Sequence, residues 1–140
     1  THRMTSDVFF LKNKKKFDVI FIDGLHSYDQ CSKDCTNSIN FLNEDGIIIL
    51  HDMMPRHKTE ESPKFSGDVW KVAFELCQSE NVKFVIANID QGVGLLKITT
   101  NSSYIKLPEI KDKTFNNYKN FYHKQLPSVN VKTALDFIKS

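Results

Sequence analysis

Five glycines, four prolines and three cysteines are all that the 140 residues contain, and each scarcity excludes something. The glycines (Gly24, Gly46, Gly67, Gly92, Gly94) never cluster. No glycine-rich loop can therefore bring a row of backbone N–H groups against a phosphate. Three cysteines do not make a disulfide framework and fit a reducing compartment. No apolar run approaches the roughly 20 residues that cross a bilayer, and no signal-peptide pattern opens the chain. The expected location is the cytoplasm, with no membrane partner. Neither sign of charge dominates: 19 basic against 17 acidic residues leave a net charge of +2. That balance gives no footing for a nucleic-acid partner. Lys12, Lys14, Lys15 and Lys16 form a local basic cluster that reads as a solvated turn or a phosphate contact. There is no internal repeat and no low-complexity tract.

What is present is concentrated between residues 17 and 52. Phe17, Val19, Ile20, Phe21 and Ile22 make an apolar run of the kind that suits a strand covered on both faces, ended by Asp23-Gly24. Ile47 to Leu50 repeats the pattern and ends in His51-Asp52. Ser27 followed by Gln30 has capping-box spacing, so a helix should start there. Its apolar stripe is Tyr28, Cys31, Cys35, Ile39 and Leu42, with Lys33, Asp34, Asn37 and Asn40 facing away. Cys31 and Cys35 on that stripe read as core packing, since no second cysteine pair completes a metal site. Asn43 to Gly46 supplies turn chemistry. The whole stretch is a βαβ unit. In open parallel sheets ligands bind beyond the carboxyl ends of the strands, so Asp23, Gly24, His26, His51 and Asp52 should gather on one rim.

The rest of the chain is read more coarsely. Thr5 or Ser6 caps a short helix through Leu11. Met53 to Ser66 is a polar loop, either a substrate lid or an ordinary connection. Asp68 caps a second sheet-packing helix through Val69, Val72, Ala73, Leu76 and Cys77. Val82–Ile89 and Val93–Ile98 form an antiparallel hairpin, because Asp90-Gln91-Gly92 is too short for a crossover. Two helices follow beyond residue 101, one ending near Leu126-Pro127 and one over 131–138. The division is a partial α/β domain over 1–100 and a helical extension of the same domain over 101–140. The chain opens on Thr1 with Met4 close behind, and has the look of a piece of something longer.

Three segments carry a resemblance. FDVIFIDGLHSYDQ (17–30) resembles the strand-four segment of class I S-adenosylmethionine-dependent methyltransferases, NEDGIIILHD (43–52) their strand-five segment, and DQGVGLLKI (90–98) their hairpin. The similarity is to the macrocin- and catechol-type O-methyltransferases and the methyltransferase domain 24 group, over about residues 1 to 100. It implies the C-terminal half of a Rossmann-like methyltransferase sheet: two parallel strands plus an antiparallel hairpin, with helices packed on it. It further implies S-adenosylmethionine as cofactor, a small-molecule methyl acceptor, and a divalent cation, Mg²⁺ or Mn²⁺.

Carried across residue by residue, the resemblance makes Asp23, Asp52 and His51 metal ligands. It makes His26 the general base beside Asp23, and sets Ser6, Asp7, Asp23 and Gly24 against the cofactor. Met53 stands where the catechol group often has Asn. The glycine-rich loop and the acidic residue that grip the cofactor's methionine and ribose have no counterpart, so only a partial site is expected and the chain alone should be inactive. Without the preceding strands, Phe17 to Ile22 becomes an apolar sheet edge, and self-association into a homo-oligomer follows. Two alternatives stay open: a non-enzymatic self-associating remnant or interaction domain, and, on topology alone, a flavodoxin-like binder of nucleotide or phosphate.

Overall fold

The computed structural model describes residues 2–99, 112–122 and 124–140. The elements run α1 (Ser6–Lys12), β1 (Phe17–Ile22), α2 (Tyr28–Asn40), β2 (Leu42–Leu50), a 3-10 turn (Lys58–Glu61), α3 (Lys71–Cys77), β3 (Val82–Ala87), β4 (Val93–Ile98), α4 (Phe115–Tyr122), β5 (Ser128–Val129) and α5 (Val131–Lys139). They build one five-stranded mixed sheet of order β1-β2-β4-β3-β5. β1 and β2 are parallel, and β4 lies antiparallel between β2 and β3. The α/β expectation of two parallel strands plus a hairpin therefore holds, and β5 adds two residues parallel to β3.

Local chemistry explains most of the boundaries. Thr5 Oγ1 accepts from Val8 N–H and starts α1. Ser27 Oγ accepts from Gln30 N–H and starts α2, satisfying a donor that has no partner inside the helix. The expected turn at Asn43 to Gly46 is instead drawn into β2 as an irregularity. The β1–β2 register runs Phe17↔Leu42 and then Val19↔Ile47, so β2 carries extra residues, with Asp45 at φ +61. Turn-forming residues here make a bulge rather than a stop.

Alternation assigns the two faces. Ile20, Ile22, Ile48, Leu50, Leu96, Phe84 and Ile86 face α2, α3 and α4, where Cys31, Cys35, Val72, Phe74 and Tyr118 complete the main core. The three cysteines are free. Burial pushes the Cys35 and Cys77 thiols each up to about 12 and Cys31 well above its usual value, so all three behave as apolar filler. On the other face, Ile47, Val85, Ala87 and Leu95 pack with Ala134 and Phe137 of α5.

Four expectations are corrected. β1 is not covered on both faces. It is the edge strand, as expected, but α5 lies over β3 at the far side of the sheet, and Val19 and Phe21 are left 57% and 59% exposed. Asp34 does not face away from the core: it is 7% exposed and accepts from Gln30 Nε2 at 3.0 Å. Asp68 does not cap α3. Its carboxylate accepts from Tyr28 N–H (2.6 Å) and from Lys71 Nζ (2.7 Å), tying the start of α2 to the approach to α3. The loop after β2 is not polar at its root, where Met53, Met54 and Pro55 are buried. Residues 100–111, at the start of the anticipated helical extension, lie outside those described.

Candidate functional site

Because β1 and β2 are parallel and in register at their ends (Ile22↔Leu50), the residues that follow them must emerge side by side. The ladder continues one step further, with His51 N–H donating to Ile22 O at 3.1 Å. Asp52 then takes a left-handed backbone (φ +63), which aspartate tolerates better than most residues. The chain turns toward the hairpin, where Met53 and Met54 N–H groups donate to the carbonyls of Gly92 and Gln91 at 3.0 and 2.7 Å. Gly92 is obligatory there: its φ is +84, and a Cβ would stand 2.5 Å from Met54 Cβ.

The four chemically active residues anticipated on this rim do meet. His26 Nε2 lies 3.5 Å from Asp23 Oδ1 and 3.4 Å from Asp52 Oδ2. His51 Nδ1 lies 3.3 Å from Asp52 Oδ1 and 3.8 Å from Asp23 Oδ1. One ligand atom from each of Asp23, His51 and Asp52 falls within 4.8 Å of the others.

The orientation of the histidines follows from their outer contacts. His26 Nδ1–H donates to the carbonyl oxygen of Phe65, which leaves Nε2 as the basic nitrogen turned toward the two carboxylates. His51 Nε2 contacts Asp90 Oδ2 at 3.0 Å. Partial burial works against the His51 cation, but the Asp90 hydrogen bond and the charges of Asp52 and Asp23 outweigh it, and the His51 pKa is raised above its ordinary 6.5.

A pocket of about 360 Å³ opens over this cluster, walled by Glu60, Lys64, Phe65, Ser66 and Gln91. Sequence reasoning offered the Met53–Ser66 loop as a candidate substrate lid but named none of its residues as site residues, and it missed Gln91 and Asp90, because no short-range pattern announces a wall assembled from a loop and a hairpin tip. One signal was present in hindsight. Gly67 has φ +59, and a Cβ there would lie 1.8 Å from His26 O, so only glycine lets the loop close on His26.

A second cavity of about 500 Å³ lies between α1, β1 and α2 and shares Asp23 with the first. Ser6 and Gly24 line it. Ser38 Oγ, fully buried in its wall, has no hydrogen-bond partner among the described residues. Nothing lies within 4 Å of the Cβ position at Gly24, so that residue is open to the cavity rather than sterically required. Asp7 does not line the cavity. Its carboxylate accepts from Lys33 Nζ at 2.6 Å and from Gln30 Nε2 at 3.3 Å, and those bonds, Lys33 first, hold its pKa below the usual 3.8.

Residues 1–53, which span α1, β1, α2, β2 and the His51-Asp52 turn, match a family model described as a methyltransferase domain. No curated protein matches the chain. The match supports a class I methyltransferase segment over those residues, and the mixed α/β sheet is consistent with a fragment of a Rossmann-like methyltransferase fold.

Proposed function

From residues 1–53 as a methyltransferase-domain segment, we propose that the chain is the substrate-and-metal half of an S-adenosylmethionine-dependent enzyme that methylates an oxygen of a small molecule. The observation that carries this reading is that the two cavities meet at Asp23. A methyl donor in the larger cavity and an acceptor in the smaller one would face each other across that carboxylate. Methyl transfer is an in-line displacement, so alignment of the acceptor oxygen is the main contribution the protein can make.

The residues present suit both absent groups. The larger cavity falls within the range of small-molecule sites, roughly 300–1,000 Å³. Its orphaned Ser38 Oγ is a hydrogen-bonding group in want of a ligand. Two carboxylates and one imidazole make a donor set for Mg²⁺ or Mn²⁺. Ligands of one such ion sit at most about 4.2 Å apart, so the side chains need draw in by only a few tenths of an ångström. When bound, the cation lowers the pKa of a coordinated hydroxyl.

The chain's own part is the proton. His26 Nε2 accepts it from the acceptor hydroxyl, while Asp23 and Asp52 stabilise the imidazolium and the Phe65 carbonyl holds the ring in place. Because no glycine-rich loop is present, the 140 residues alone are proposed to bind without turnover.

Calorimetric titration with S-adenosylhomocysteine, with and without Mn²⁺, tests the reading. Heat that depends on Asp23 and Asp52 supports it, and no heat under either condition retires it. The exposed Val19 and Phe21 favour a second reading, a non-enzymatic module that self-associates through β1. In antiparallel self-pairing, the Lys14–Lys16 end of one strand meets the Asp23 end of the other, so charge complementarity favours a second copy.

A further inference from the structure

Beside the Asp/His pocket lies a third cavity, of about 270 Å³, for which the proposed transfer has no use. It is bounded by Arg56 from the segment after β2, by Asn88 and Asp90 from the β3–β4 turn, and by Phe115, Tyr118 and Lys119 from α4. The wall between it and the Asp/His pocket is thin. Arg56 N–H donates to Glu60 Oε2 at 2.6 Å, with Glu60 facing the pocket, and Asp90 is followed by Gln91, which also faces it.

The charge of this cavity is opposite to that of its neighbour. Two cations line it, and among the described residues neither Arg56 nor Lys119 is paired with a carboxylate. The one acid among the described residues that line the cavity, Asp90, directs Oδ2 to His51 Nε2. Its carbonyl accepts from an Arg56 guanidinium nitrogen at 3.0 Å, which fixes the arginine while leaving other N–H groups to donate. Phe115 and Tyr118 present aromatic surface, and Tyr118 Oη–H donates to Pro55 O at 3.0 Å. A held arginine and a second cation beside two aromatic rings can recognise an anion on a flat or apolar body. The volume is slightly below the roughly 300–1,000 Å³ typical of whole-ligand pockets, which suits one end of a molecule.

We propose that this cavity is an anion subsite that takes a carboxylate or phosphate carried by the methyl acceptor, with Arg56 and Lys119 as its charge partners. The subsite stands on the cavity itself, and only its assignment to the acceptor rests on the methyltransferase reading. It restricts the acceptor class to acids or phosphate esters whose hydroxyl reaches Asp23 and His26 while the anion remains in the subsite.

The protein carries its own reporter. Its single tryptophan, Trp70, is fully buried, with ring centroids 4.6 Å from Tyr118 and 6.2 Å from Phe115. Benzoate, its neutral counterpart benzamide, and inorganic phosphate are titrated at low salt without cofactor, and Trp70 emission is read. Benzoate or phosphate should give a saturable response, the stronger of the two identifying the anion. Benzamide should bind roughly tenfold more weakly, and Arg56→Gln with Lys119→Gln should weaken the anion by a similar factor at an unchanged thermal midpoint. Equal binding of benzamide and benzoate overturns the subsite, as does wild-type affinity in the double variant or the lack of a saturable response to either anion. Should the double variant unfold, Lys119→Gln alone is read for the same loss. Anion binding with no S-adenosylhomocysteine response keeps the subsite and overturns its assignment to a methyl acceptor.

Discussion

Gly67 and the residues it touches show how much of the site depends on single atoms. The loop after β2 reaches His26 only because position 67 has no Cβ and can hold φ +59. Gly67→Ala should cost about 2–3 kcal/mol from the left-handed backbone and the displaced loop, measured as a lower urea midpoint. It should also release the Phe65 carbonyl from His26 Nδ1, seen as a change in the imidazole tautomer by ¹⁵N NMR. The cysteines make the complementary case. With thiols pushed to about 12 at Cys35 and Cys77, and well above the usual value at Cys31, folded protein should resist iodoacetamide at pH 8 and react fully in urea. At this scale the sequence was informative about identity more than environment. Asp23, His26, His51 and Asp52 could be named because each ends or follows a recognisable strand. Asp90 and Ser66 could not, since their neighbours come from distant parts of the chain.

Two inter-element ties carry the next predictions. Between α2, α3 and the segment before α4, Glu75 is buried and its Oε1 accepts from Tyr28 Oη–H (2.5 Å) and from Lys113 Nζ (2.8 Å). Among the described residues, removing the carboxylate leaves the lysine with the tyrosine hydroxyl and ring as its partners. Glu75→Ala should therefore destabilise by about 2–4 kcal/mol, somewhat below the range for a fully buried pair because Lys113 is partly exposed, as measured by chemical denaturation. Between α1 and α2, Asp7 bonds Lys33. Its folded pKa is depressed, so its contribution is present above about pH 4 and is lost as pH falls through the lower folded value. Asp7→Asn should flatten that acid limb and lower neutral-pH stability by the same amount, a small one because the pair is exposed. Element types were legible from periodicity and caps: α1, α2, the β3–β4 hairpin and α5 all stand close to where the pattern sets them. The start of α3 was not legible, because Asp68 found a tertiary partner in Tyr28 N–H in place of a helix to cap.

The sheet is unfinished on one side at the scale of the whole molecule. Among the described residues β1 is an edge strand, paired with β2 alone, and it carries two exposed apolar side chains. We expect concentration-dependent self-association in sedimentation velocity, suppressed by Phe21→Lys without loss of the thermal transition. A stable monomer at high micromolar concentration would remove β1 as a self-pairing surface. Among the described residues no helix is long and apolar enough to cross a membrane.

The sequence by itself determined the βαβ unit, the parallel pairing of its strands and hence the meeting of Asp23 with His51 and Asp52. Those depend on alternation, caps and strand ends, which are local. Only the tertiary structure decided that β4 enters between β2 and β3, that α5 covers the far side of the sheet and leaves Val19 and Phe21 bare, and that a loop and a hairpin tip wall the pocket. These outcomes are set by competition among distant surfaces for burial and for hydrogen-bond partners, and that competition leaves no periodic trace in the chain.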